Sequence, residues 1–104
     1  MGQFDVHLNQ GRTRTSVPFV LVIQSDRYEA TTHRVVVPLV LRAELRTSDR
    51  DLNPSFTIDG QVVVMDTLQL AAPPAKALGP KVGSLDQDCL TIIRAMDALI
   101  AQDR

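Results

Sequence analysis

The chain has 104 residues, and its 11 Lys and Arg nearly balance its 12 Asp and Glu, which gives a formal net charge of −1. This balance disfavours direct sequence-specific nucleic-acid recognition, because counterion release requires Lys and Arg in local concentration. The single Cys89 excludes an intramolecular disulfide, the N-terminus lacks a secretion-signal pattern, and the longest apolar run, Val35 to Leu41, is shorter than the ~20 residues of a membrane helix, so we expect a cytoplasmic protein with no membrane partner.

Short strands are predicted over about residues 3–70. Apolar and polar residues alternate from Gln3 to Leu8, which predicts a half-buried strand with His7 on its solvated face. A second, β-branched run extends from Val17 to Gln24, and a third extends from Arg34 to Leu41. Pro38 inside the third run predicts an edge strand or a bulge, because proline cannot donate to the ladder.

One hairpin has a strong local signal. Asp59-Gly60 lies between the runs Ser55 to Ile58 and Gln61 to Met65, and a type I′ turn requires positive φ at both central residues. The charged stretch from Arg42 to Asp51 predicts a long loop, and Thr67 to Leu70 predicts a further short strand.

The end of the chain predicts an amphipathic helix over about residues 85–101. Ser84 and Gln87 have the spacing of a capping box at its start, and Gly79 to Gly83 predicts a loop that leads into it. Apolar residues recur at spacings of three and four and predict the core-facing stripe, namely Leu85, Cys89, Ile92, Ile93, Met96, Leu99 and Ile100. One domain over residues 1–104 is expected, mainly β, with antiparallel strands capped by this helix.

Residues that would indicate catalysis or metal binding are not grouped in the sequence. His7 and His33 fall in different elements without a Cys or carboxylate arrangement for a metal, and no base lies near Asp66 and Thr67. The residues alone therefore predict a small β-rich interaction protein with no cofactor, no metal and no catalytic residue.

Several short segments follow one another in a specific order along the chain. A Gln-Ser-Asp is followed by a strand with Pro-Leu, then by Leu-x-Pro and by an Ile-Asp-Gly hairpin. The segments span nearly the whole chain: Gln3-Phe4, Val22 to Asp26, Arg34 to Leu39, Leu52 to Pro54, Thr57 to Gly60, Met65 to Thr67 and Ile93 to Ala95. In this order and spacing they resemble the CcdB family of plasmid and chromosomal toxins.

This resemblance implies an SH3-like barrel of the CcdB/MazF type and a homodimer that serves as the toxin of a type II toxin–antitoxin system. Such toxins are not enzymes: they bind the A subunit of DNA gyrase and stabilise the complex in which DNA is cleaved. A cognate antitoxin neutralises the toxin by wrapping a disordered acidic tail around the dimer, and the complex represses its own operon.

The resemblance also implies a partner-binding surface for gyrase or antitoxin. Family toxins end in Trp-Gly-Ile. The corresponding residues here are Ala101, Gln102 and Asp103, none of which carries an aromatic ring. Because a buried aromatic hot spot contributes ~2–4 kcal/mol to an interface, this replacement predicts weaker or abolished gyrase binding. Arg27 and Tyr28 replace the family's paired Ile-Ile, and Asp97 replaces a helix Asn. The implied surface consists of Arg27, Tyr28, Asp97, Ile100, Ala101, Gln102 and Asp103.

Three other interpretations stay open at this point. An RNA-cleaving toxin of the MazF/Kid type would use Arg34, His33, Arg12 and Arg14, although the chain lacks a concentrated basic face. A non-toxic relative would bind antitoxin only, as a decoy or corepressor. For residues 102–104, a solvated and frayed helix end is the alternative to a partner contact.

Overall fold

The computed structural model describes residues 2–45 and 48–102 and is mainly antiparallel β with a single C-terminal helix. Six strands form one sheet in the order β4-β5-β3-β2-β1-β6, and the sheet curls into a half-barrel, as the predicted fold class requires. The strands are β1 Asp5–Leu8, β2 Phe19–Val22, β3 Val36–Leu41, β4 Ser55–Ile58, β5 Gln61–Met65 and β6 Lys81–Ser84. Helix α1 comprises Cys89–Ile100.

The hydrophobic core lies between one face of the sheet and α1. Successive strand residues point to opposite faces, so alternate apolar positions of β1 to β5 line the covered face. Helix α1 places Ile92 and Ala95 against them, and neither residue is accessible to solvent. Burying a large apolar side chain contributes ~1.5–3 kcal/mol. The sheet residues of this core include Val6, Phe19, Leu21, Val37, Leu39, Phe56, Ile58, Val63 and Met65.

The predicted β4–β5 hairpin is confirmed. Its register pairs Ser55 with Val64 and Ile58 with Gln61, which leaves a two-residue turn. Asp59 has φ 52° and Gly60 has φ 79°, so both occupy the left-handed region that a type I′ turn requires.

The loop predicted before the helix is instead partly a strand, β6, which pairs with β1 at the sheet edge. Pro80 immediately precedes β6, where its missing N–H is harmless, and its carbonyl accepts a hydrogen bond from the Leu8 N–H at 3.0 Å. The register shifts between Val6 and His7, opposite Gly83 and Lys81. Pro80 and Gly83 are therefore compatible with an edge strand, although they predict a loop.

The predicted capping box does not form. Ser84 is the last residue of β6, and its Oγ accepts from the Asp86 N–H at 3.1 Å. A 3-10 turn, Asp86–Asp88, follows, so α1 begins at Cys89 with Asp88 as its N-cap. Competition between a local Ser turn and the helical cap is a common property of Ser side chains.

The short strand predicted after the hairpin is a 3-10 turn, Thr67–Gln69. Thr67 is fully buried, and its Oγ1 donates to the Leu52 carbonyl at 2.5 Å. The side chain therefore joins this turn to the loop before β4.

Pro38 lies in an interior strand, contrary to the predicted edge or bulge. β3 lies between β2 and β5, but β5 ends at Met65, which is paired with Leu39. The Pro38 carbonyl accepts from the Asp66 N–H at 3.0 Å just beyond the end of β5. A strand that has lost its neighbour on one side tolerates proline there, as an edge does.

The alternation predicts that His7 is solvated, but the structure shows it buried. Its side chain is 4% exposed, and Nδ1 lies 2.8 Å from the Gly79 carbonyl oxygen. The alternation rule fails because the second face of the sheet is also covered: it buries Val22, Val36, Val40 and Val64.

Candidate partner-binding surface

Two of the predicted surface residues lie on an exposed turn between β2 and β3. Arg27 and Tyr28 belong to the 3-10 turn Asp26–Tyr28, and Tyr28 is 55% exposed. Ser25 starts the turn, because its Oγ accepts from the Arg27 N–H at 3.2 Å. The turn therefore presents one cationic and one aromatic side chain to solvent.

Hydrogen bonds from the strand ends hold this turn in place. The Asp26 carboxylate accepts from the Gln3 N–H at 2.5 Å. Gln24 donates from Nε2 to the Tyr28 carbonyl at 2.9 Å, and its Oε1 accepts from the Val35 N–H at 3.0 Å. The amide of Gln24 thus joins the turn to the start of the next strand.

His33 and Arg34, which follow the turn, differ in their environments. His33 is exposed, whereas Arg34 is only 8% exposed. The Arg34 guanidinium donates to the backbone carbonyls of Glu29, Thr31 and His33. These bonds commit the guanidinium to the protein's own backbone, away from any bound RNA.

The other predicted surface residues lie at the end of α1. Asp97 is exposed and Ile100 is 78% exposed. Ala101 ends the helix in an extended conformation, and its N–H donates to the Asp97 carbonyl at 2.7 Å. Ala101 and Gln102 are exposed, and Asp103 lies outside the described residues.

Two further apolar residues of α1 face outward and are absent from the predicted surface. Leu90 is 66% exposed and Ile93 is 45% exposed. The prediction that Ile93 and Ile100 belong to the core-facing stripe is therefore wrong for both residues. Leu90, Ile93, Asp97 and Ile100 are separated by three, four and three residues, so they share one face of the helix. We call these four residues the outer stripe. The spacing is readable in the sequence, but the core-facing residues have the same periodicity.

A further exposed apolar side chain lies on an element that contacts α1. The 3-10 turn Thr67–Gln69 packs against α1, and Leu68 in this turn is 64% exposed. Burial raises the pKa of the Asp66 carboxyl, which immediately precedes this turn. Exposed apolar side chains that share one helix face, as in the outer stripe, are typical of protein interaction sites.

The predicted residues therefore form two groups on separate elements: Arg27 and Tyr28 on the β2–β3 turn, and the remaining described residues on α1 and just after it. Within residues 2–45 and 48–102, no side-chain hydrogen bond joins the two groups. A partner that contacts both groups must therefore span two separate elements.

The described residues contain no group of three His, Cys, Asp or Glu arranged to hold a metal ion. Of the four residues considered for RNA cleavage, Arg34 is buried, whereas Arg12, Arg14 and His33 are exposed. Over the same described ranges, no helix has the length and apolar character needed to cross a bilayer. What the surface offers chemically is apolar and aromatic contact area with isolated charges.

Comparison with known proteins gives a family. A family model described as CcdB protein matches residues 3–101 of the 104-residue chain. No curated protein matches the chain. The match covers both groups of surface residues except Gln102 and Asp103, and it agrees with the half-barrel sheet and the single C-terminal helix. The chain belongs to the CcdB family of toxin–antitoxin toxins.

Proposed function

We propose that this protein is the toxin of a type II toxin–antitoxin pair that binds the A subunit of DNA gyrase and stabilises its cleaved-DNA complex. Family membership over residues 3–101 supports the toxin class. The observation that carries a binding function is the outer stripe, whose three apolar side chains are 45–78% exposed on one helix face. Covering these side chains with a partner removes apolar surface from water, which favours association.

The action we propose is binding without chemistry. Ile93 and Ile100 supply apolar contact area, and Asp97 between them supplies a charge that would select a cationic or hydrogen-bond donor group on the partner. Tyr28 and Arg27 are residue types enriched at interface hot spots, and they supply a second contact region. The toxin would act in the cytoplasm, where gyrase and DNA meet.

A homodimer and a cognate antitoxin complete the proposal. Two copies of the chain would present both contact regions twice, which suits a target that is itself a symmetric dimer. The antitoxin would cover the toxin surface with a segment that folds on binding, and this complex would repress its own operon. The family assignment supports both partners.

The test measures gyrase directly. Purified protein is incubated with gyrase holoenzyme, ATP and supercoiled plasmid, and linear DNA is counted after protein denaturation. We expect linear DNA to accumulate with the parent chain and to fall about tenfold or more with Ile93→Gln, because the substitution removes apolar contact from the outer stripe.

Val62→Gln is the matched control, because Val62 on β5 is also 45% exposed and lies on a different element. Equal losses in both variants would point to a general folding defect and not to a stripe contact. If the parent chain yields no linear DNA at any concentration while folded, gyrase is not its target. An RNA substrate added to a parallel sample that stays intact would remove the MazF/Kid-type alternative.

A further inference from the structure

Arg34 is a buried cation with no carboxylate at ion-pairing distance among the described residues. Its side chain is 8% exposed, whereas the other six arginines that the structure describes are exposed. Nη1 donates to the carbonyls of Thr31 at 2.5 Å and His33 at 2.8 Å, and Nη2 donates to the carbonyl of Glu29. Backbone dipoles therefore compensate the charge.

The segment that Arg34 binds has no buried side chain of its own. All nine residues from Ser25 to His33 are exposed, so no apolar core residue within the segment fixes its path. Gln24 binds the Tyr28 carbonyl at 2.9 Å from the β2 side, and Arg34 binds the following carbonyls from the β3 side. Gln24 and Arg34 therefore hold the segment from its two ends, in addition to the bonds from the Gln3 N–H to the Asp26 carboxylate and from the Ala75 N–H to the Thr32 carbonyl.

We propose that Arg34 is a positioning residue that orders the segment from Ser25 to His33, so that Arg27 and Tyr28 meet the partner in a fixed arrangement. This inference rests on the proposed function, in which the turn is part of the partner surface. A planar guanidinium donates along several fixed directions and reaches three carbonyls, whereas the ammonium of a lysine is a single point of charge. Ordering a loop before association removes an entropy loss that otherwise opposes binding.

The free protein offers a local readout of this ordering. Tyr28 is the only tyrosine and the chain has no tryptophan, so intrinsic emission reports on this turn alone. We expect time-resolved anisotropy to show a larger fast component for Arg34→Lys and Arg34→Met than for the parent. Arg42→Lys, at an exposed arginine, is the control and leaves the decay unchanged. Unchanged decays in both Arg34 variants would overturn the inference.

A measurement on the unmodified protein covers the case in which both Arg34 variants fail to fold. Backbone NMR order parameters of a clamped segment resemble those of the rigid sheet, at about 0.85. Values below about 0.6 at Glu29 and Thr31 would overturn the inference without any substitution.

A double-mutant cycle tests the link to binding. Arg34→Lys is expected to weaken affinity for the gyrase A subunit about tenfold. The same substitution made in an Arg27→Ala, Tyr28→Ala background should have no further effect, because Arg34 acts through these two residues. An equal loss in both backgrounds would contradict the positioning role. Failure of the parent to bind gyrase would remove the proposed function while the anisotropy result still decides whether Arg34 orders the turn.

Discussion

Buried polar side chains in this protein bind backbone carbonyls more than they bind one another. Thr67, His7 and Arg34 are buried, and each has a side-chain nitrogen or hydroxyl next to a main-chain oxygen of a loop. Such contacts join loops that have little apolar area to the sheet. They also explain why His7, which the alternation places on the solvated face, is buried.

Thr67→Val is expected to destabilise the protein by ~1–3 kcal/mol, because it removes the donor to the Leu52 carbonyl while keeping the side-chain shape. Urea unfolding followed by circular dichroism measures the change. Thr57→Val on the exposed side of β4 is the matched control and should shift the midpoint little. Similar shifts for both variants would mean that the buried hydrogen bond contributes no more than a surface hydroxyl.

Asp66→Asn is expected to raise stability at pH 7 and to have no effect near pH 3. Burial raises the pKa of the Asp66 carboxyl above its usual value of 3.8, so the folded state prefers the protonated form. The stability associated with that form is present below pH 3.8 and is lost as the pH rises through the folded-state pKa. Urea midpoints at several pH values test this, with Asp51→Asn as an exposed control. A gain that persists at pH 3 would exclude desolvation as its cause.

At the scale of elements, the sequence predicts those elements whose conformation depends on their own residues. The Asp59-Gly60 turn is correct because positive φ is a property of those two residues. β6 is missed because its strand conformation depends on pairing with β1, whose residues are more than 70 positions away. The prediction of a C-terminal amphipathic helix is correct. The prediction of which apolar residues face the core is partly wrong, because the position of the sheet determines which of them become buried.

Gly79→Ala is expected to destabilise the protein by ~1–3 kcal/mol, because a Cβ at this position would lie 2.5 Å from the Leu8 carbonyl oxygen. The contact is with backbone, so relief requires β1 and the segment before β6 to separate. Gly83→Ala is the matched control, because a Cβ there meets nothing within 4 Å. Thermal unfolding of both variants measures the difference. Equal melting temperatures would show that β1 and the segment before β6 can separate without a loss of stability.

At the scale of the whole molecule, the candidate surface is only partly predictable from sequence. Resemblance indicates Arg27 and Tyr28, and the structure places both on an exposed turn. Leu90 and Ile93 are missed, because a helix with apolar residues on two faces does not reveal which face meets the sheet. The buried role of Arg34 is also invisible in sequence, since its hydrogen bonds require the folded path of the preceding segment.

Ala101→Trp tests whether the outer stripe lacks only its aromatic end. Ala101 follows the exposed Ile100 and ends α1 in an extended conformation, so an indole there would extend the apolar surface of the stripe. An aromatic hot spot contributes ~2 kcal/mol or more, so affinity for the gyrase A subunit should rise about 30-fold. Calorimetric or surface-based titration measures this rise. Gln61→Trp on the exposed start of β5 controls for non-specific adhesion of an added indole and should leave the affinity unchanged. If Ala101→Trp binds gyrase no better than the parent and causes no growth arrest when expressed, the missing ring is not what limits the contact, and a relative that binds antitoxin alone becomes the better description of this chain.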